Sequence, residues 1–162
     1  MEPSETGGRH RTVAERRSDR ELVVRRTFEA PPRLVFKAWT TPELLQRWWA
    51  PRSSGARLVD CQLDVRAGGA YRFVFGLPDG RSMTFFGKYV EVVTDARLVW
   101  TNEESDDGAV STLTLEEQGG RTLLVLSELY PTKAAADRSI EGMEEGMPEQ
   151  FEQLDELLPT LE

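Results

Sequence analysis

Tyr71, Phe73 and Phe75 alternate along one short stretch, Phe85 and Tyr89 share a parity in the next, and Trp100 follows in a third. Alternate residues of a strand point to one face. These rings can therefore gather on one side of a sheet, as an apolar surface carrying a few phenol and indole hydrogen-bonding groups. Trp39, Trp48 and Trp49 fall in two short helical stretches set between β segments, the pattern of a sheet with a helical corner plugging one end. Further on, Met143 and Met147 lie on a helical stripe as adaptable packing. Gln150 falls inside that stripe at about 100° per residue, where its amide needs either a ligand or a backbone carbonyl. Trp49, Tyr71, Phe73, Phe75, Phe85, Tyr89, Trp100, Met143, Met147 and Gln150 are thus the expected lining of a small-molecule pocket. The alternative for each is plain core packing.

Other chemistries lack their residues. His10 is the single histidine and stands near the N-terminus, so a Ser-His-Asp or Cys-His site in the body has no base. One histidine and one thiol cannot furnish a zinc site, so neither metal nor cofactor is expected. Ala67-Gly68-Gly69 lacks the Lys-Ser/Thr of a phosphate loop. Asp60 and Asp64 share a strand face, but their Cα atoms stand about 13 Å apart at roughly 3.3 Å per residue, too far for coupled acid and base work. Glu128 is a weaker polar candidate, expected to be solvated. If the pocket is catalytic, Tyr71 and Tyr89 are the first candidates for proton shuttling.

The 162 residues suit one domain with a sizeable core. Residues 1–26 carry a net charge of +2 and the remainder −10, within a total of −8. So acidic a body repels phosphate backbones, which argues against nucleic-acid binding. No run approaches the ~20 apolar residues of a membrane span, and the N-terminus has no apolar signal segment. The lone Cys61 allows no internal disulfide, which fits a reducing cytoplasm. The sequence leaves a homodimer open.

Residues 1–20 contain Val13 as their only sizeable aliphatic side chain and are expected to form a disordered tail before a single domain over 21–162. Residues 21–28 read as a strand, and Ala30-Pro31-Pro32 ends it while starting a helix. Thr41-Pro42 opens a second helix and Pro51 closes it. Strands are expected over 56–65, 70–75, 82–93, 98–102, 110–116 and 122–129, joined by Gly- and Asp-containing turns into an antiparallel meander. Ile140, Met143, Met147, Phe151, Leu154, Leu158 and Leu161 then draw one helical stripe, with a kink or restart expected near Gly146 to Pro148. The fold class is α+β: an antiparallel sheet of six to seven strands curved around a long C-terminal helix, with two short helices after the first strand.

Several blocks resemble a known family. Phe28-Glu29-Ala30-Pro31, Val35-Phe36-Lys37-Ala38-Trp39-Thr40, Arg47-Trp48-Trp49-Ala50-Pro51, Asp64-Val65-Arg66-Ala67-Gly68-Gly69, Arg97-Leu98-Val99-Trp100-Thr101 and Gly142-Met143-Glu144-Glu145-Gly146-Met147 are similar to the homologues of the activator of heat-shock protein 90 ATPase. That family lies in the START-related (SRPBCC) helix-grip superfamily, and the likeness covers about residues 21–159. It implies an elongated cavity between sheet and long helix, in a superfamily whose members bind or cyclise lipids, hormones and polyketides. In the larger eukaryotic relatives chaperone activation goes with an additional N-terminal domain, which residues 1–20 are not expected to supply. The leading expectation is binding of a hydrophobic or aromatic small molecule. The alternatives are a cofactor-free cyclase or hydratase-type enzyme on the same pocket, and a co-chaperone-like interaction module.

Overall fold

A computed structural model describes residues 11–161 of the chain. Strand β1 (Val13–Arg16) pairs with β2 (Glu21–Phe28), which is followed by helices α1 (Pro32–Thr40) and α2 (Pro42–Trp48). Strands β3 (Arg57–Leu63), β4 (Ala70–Gly76), β5 (Ser82–Val93), β6 (Arg97–Thr101), β7 (Val110–Gln118) and β8 (Arg121–Leu129) form a meander, and α3 (Lys133–Leu157) ends the chain before a short 3-10 turn. All pairings are antiparallel, in the order β1-β2-β8-β7-β6-β5-β4-β3. This is the expected α+β helix-grip, with eight strands rather than six or seven.

The additional strand lies in the segment expected to be tail. Residues 1–10 are outside the described residues, whereas Val13–Arg16 form a hairpin with β2, in the register Val13 opposite Arg25 and Arg16 opposite Leu22. Ala14 packs on the core, and Arg16 forms an ion pair with Asp137 of α3 at 2.6 Å. A hairpin needs few apolar residues when a formed neighbouring strand supplies the pairing groups, so low hydrophobicity alone misplaces the start of order.

The inner face follows the period-2 pattern. Leu113 and Leu115 of β7, Thr122, Leu124 and Leu126 of β8, and Leu22, Val24, Arg26 and Phe28 of β2 are buried there. Helix α3 lies across β1 and β2 and against α2. Its Met143, Phe151, Leu154 and Leu157 are buried, and Phe151 meets Phe28 edge to face at 5.5 Å. Arg26, 2% exposed, stands among them: its Nη2 donates to Asp155 at 2.6 Å, its Nη1 to the Thr27 carbonyl at 3.0 Å, and its guanidinium lies 4.8 Å from the Phe28 ring centre. Helix α3 begins seven residues before Ile140, with Thr132 capping Ala135 N–H at 3.0 Å, and runs through Pro148 without a restart.

Each short helix starts on proline, whose missing N–H costs nothing in a first turn. Thr41 is the N-cap of α2 as expected, although its hydroxyl makes no capping bond. The far end of α2 is sealed from α3. Gln153 Nε2 donates to the carbonyls of Trp48 (3.0 Å) and Ala50 (2.9 Å), its Oε1 accepts from Arg52 N–H (2.8 Å), and Gln150 Nε2 donates to the Trp49 carbonyl. Carbonyls at a helix end lack intrahelical partners, and the two glutamines supply donors.

Candidate functional site

The inner face is not filled everywhere. Between β4, β5, β6, the helical corner, the loop over residues 102–109 and the N-terminal part of α3 lies a cavity of about 430 Å³. Its walls include Trp39, Trp49, Tyr71, Phe73, Phe75, Phe85, Tyr89, Trp100 and Tyr130. Exposed Ser105 and Asp107 mark the end that meets solvent.

The rings form one packed array. All four tryptophans of the chain touch: Trp39 lies 5.0 Å from Trp48, 5.3 Å from Trp49 and 5.9 Å from Trp100, centre to centre, and Trp48 lies 5.3 Å from Trp49. Trp49 continues to Phe73 at 5.6 Å, Phe73 to Tyr71 at 5.2 Å and Tyr71 to Tyr89 at 5.9 Å. Most of these contacts are tilted or edge-on, the arrangement favoured by ring quadrupoles. Trp48 N–H donates to the Ala38 carbonyl at 3.1 Å, whereas the buried Trp39 N–H has no hydrogen-bond acceptor among the described residues.

A polar chain crosses the apolar array. The Tyr71 hydroxyl oxygen lies 2.6 Å from the Thr101 carbonyl and 3.1 Å from Asn102 Oδ1. Asn102 Nδ2 donates to the Ala109 carbonyl (2.7 Å) and to Ser111 Oγ (3.0 Å), and the Ser111 hydroxyl donates to Glu128 Oε1. Two glycines make these approaches achievable. A Cβ on Gly87 would stand 2.1 Å from the Thr101 carbonyl oxygen and 2.9 Å from the Tyr71 ring, and one on Gly108 would stand 1.9 Å from the Asn102 carbonyl oxygen. Such distances exclude any side chain at either position.

Glu128 faces inward because it continues the buried parity of Thr122, Leu124 and Leu126 along β8. It lines the cavity, so its residual accessibility is to the pocket. Desolvation pushes its carboxyl up to about 7, and the Ser111 bond offsets this only in part. It pairs with no basic side chain among the described residues. Burial also drives the phenols of Tyr71 and Tyr89 well above the ordinary tyrosine range, with Glu104 adding to the effect at Tyr71 and Cys61 at Tyr89. Both stay protonated as donors. Near neutral pH the group in this cavity able to exchange a proton is thus Glu128, not either tyrosine.

Seven of the expected lining residues are brought together: Trp49, Tyr71, Phe73, Phe75, Phe85, Tyr89 and Trp100. Met143, Met147 and Gln150 stand elsewhere. Met143 is buried in the core, Met147 packs half-buried against it, and Gln150 holds the Trp49 carbonyl, the second of its two expected partners. The only α3 residue on the cavity is Ser139, which immediately precedes the first residue of the stripe, Ile140, and stands one turn ahead of Met143. Sequence reasoning missed Trp39, Asn102, Glu104, Tyr130 and Ser139, and took Glu128 for a solvated residue. Strand parity alone signals Glu128. The loop residues give no periodic signal. Asp60 and Asp64 stay apart, Asp60 paired with Arg72 at 3.3 Å and Asp64 with Arg66 at 3.0 Å. Among the described residues no group of three His, Cys, Asp or Glu could hold a metal, and no helix is long and apolar enough to cross a membrane.

Comparison with known proteins agrees with this architecture. The sequence matches no curated protein. In structure it is similar to a protein of Rhodobacter sphaeroides, with 29% identity, 93% of this chain and 99% of that chain covered, and a TM-score of 0.86. A protein of Nitrosomonas europaea follows at 25% identity, covering 90% and 98%, with a TM-score of 0.82. An AHSA1-like protein of Aeromonas hydrophila shares the fold at 21% identity, covering 82% and 92%, with a TM-score of 0.66. The family model described as Activator of Hsp90 ATPase homolog 1-like protein matches residues 29–159, which span both helices of the corner, every strand of the cavity and the whole of α3, so the chain belongs to that family.

Proposed function

We propose that this protein binds a hydrophobic or aromatic small molecule in the cavity beneath α3. The observation that carries the reading is the volume of about 430 Å³ left open inside a wall of nine aromatic side chains. A protein interior closes to crystal-like density unless something holds it open, and a few-hundred-Å³ apolar concavity with convergent polar groups is the usual form of a ligand site. The Tyr71-Asn102-Ser111-Glu128 chain supplies those groups. Calorimetric titration with neutral naphthylmethanol tests the reading. Saturable binding is expected, and it should vanish in Ala109→Phe, which places a ring in the cavity. No binding to the wild type, with the protein folded, refutes it.

A second reading, a cofactor-free cyclase or hydratase-type enzyme, is favoured by one observation. Glu128 is a carboxyl able to take or give a proton near neutral pH, held beside an apolar cavity that opens to solvent at one end. That role passes to Glu128 from the tyrosines.

A further inference from the structure

Nineteen residues line the cavity, and none of them is lysine, arginine or histidine. Three are carboxylates: Glu128 inside, Glu104 on the loop and Asp107 at the open end. Asp107 is bound by Arg138. Glu104 has only the Phe86 N–H, at 3.4 Å, and Glu128 only the Ser111 hydroxyl, so neither has a counter-charge among the described residues. An anionic ligand entering this space loses its own hydration and meets Glu104 and the ionised form of Glu128 with no cation in the lining to offset them, which disfavours fatty acids, phosphates and carboxylates. A cation meets the reverse. It neutralises a buried carboxylate, and the tryptophan and tyrosine faces around it stabilise positive charge directly. The net charge of −8 adds a long-range attraction of the same sign.

Trp39 forms part of the same wall, 4% exposed, although its indole N–H is itself covered and finds no acceptor among the described residues. Glu128 keeps one oxygen without a donor among the described residues, and a protonated amine supplies donors.

Building on the small-molecule reading above, we infer that the ligand is a hydrophobic aromatic amine, bound as the cation, with its ammonium toward Glu128 and its ring against the tryptophan wall.

Three probes of one size separate the charge question from the pocket question: naphthylmethylamine, naphthylmethanol and naphthoate, titrated calorimetrically against the full chain at neutral pH. The amine is expected to bind about tenfold or more tightly than the alcohol, with naphthoate undetectable. Glu128→Gln should lower the amine affinity about tenfold and leave the alcohol unchanged. Glu104→Gln, at an exposed loop, keeps the test open if Glu128→Gln folds poorly, and should weaken the amine alone by a smaller factor. If alcohol and amine bind equally, or naphthoate binds as tightly as the amine, the amine inference is overturned while the pocket reading stands. If none of the three binds, both fall.

Discussion

Replacing Glu128 by glutamine should stabilise this protein in alkaline solution and do almost nothing in acid. The carboxyl is raised by burial from 4.5 to about 7 in the folded state. A carboxyl raised on folding contributes fully below its unfolded value, and that contribution is lost as pH rises through its folded value. Folding must therefore become less favourable from about pH 5 to about pH 8. At 1.36 kcal/mol per unit the loss is about 3 kcal/mol, which for a chain of this size moves the melting temperature by about 6–12 °C. Glutamine keeps the Ser111 bond, through its carbonyl oxygen, and has no charge to desolvate. Melting curves of wild type and Glu128→Gln should lie close together at pH 5 and separate by several degrees at pH 8, the variant higher. The window is clean. The chain has one histidine; Asp79 and Glu149 are held low by bonds from Arg81 and Ser53, and burial pushes the Cys61 thiol to about 12. A pH-independent gap between the two proteins, or no gain at pH 8, refutes the placement of Glu128 in a desolvated wall.

Truncating Asp155 to alanine strands the Arg26 guanidinium, whose side chain is 1% exposed, and should cost about 3 kcal/mol; chemical denaturation showing less than 1 kcal/mol would mean the arginine finds water. Removal of residues 1–16 deletes the β1 pairing and the Arg16–Asp137 contact, and should lower the melting temperature by a few degrees, on the order of 1–3 kcal/mol. An unchanged melting temperature would return that segment to the status of a dispensable tail. Leu154→Ala, at a fully buried position, should cost roughly 2–5 kcal/mol, and Met147→Ala, half-buried and away from the cavity, distinctly less with no change in naphthylmethanol binding; equal penalties in denaturant titrations would contradict the placement of Met147.

Alternating aromatics carry their information locally, which is why Tyr71, Phe73 and Phe75 could be placed on the wall from spacing alone: period 2 assigns the face, and the meander assigns the neighbours. The same rule reaches Glu128, but there residue type opposes parity, and a lone glutamate after Leu123-Leu124-Val125-Leu126-Ser127 reads more readily as solvated. Only the arrival of Ser111 from β7 shows why it is tolerated. The long helix misled in a different way. Its apolar stripe shows which side faces the sheet but not which strands lie beneath it, so Met143 and Met147 were expected over the cavity when they lie over core. Asn102 follows β6 and owes its position to close chain approaches at Gly87 and Gly108, and Tyr130 follows β8, where its N–H donates to the Arg20 carbonyl; no periodicity encodes either.

Helix α3 is fastened unequally along its length. Its C-terminal half is held by Phe151 and Leu154 in the core, by the Arg26–Asp155 pair and by the two glutamines that seal α2. Its N-terminal half, which reaches the cavity through Ser139, buries Ala135, Ala136 and Met143 and is tied to the loop and to β1 by the surface pairs Arg138–Asp107 and Arg16–Asp137, and Gly142 and Gly146 face open space. Ions in solution screen the second kind of fastening far more than the first. Rising ionic strength should therefore weaken the surface ties of the N-terminal half, while Ala135, Ala136 and Met143 keep it seated. Amide exchange should be slower at residues 150–157 than at the N-terminal end of the helix, and the difference should grow with added salt.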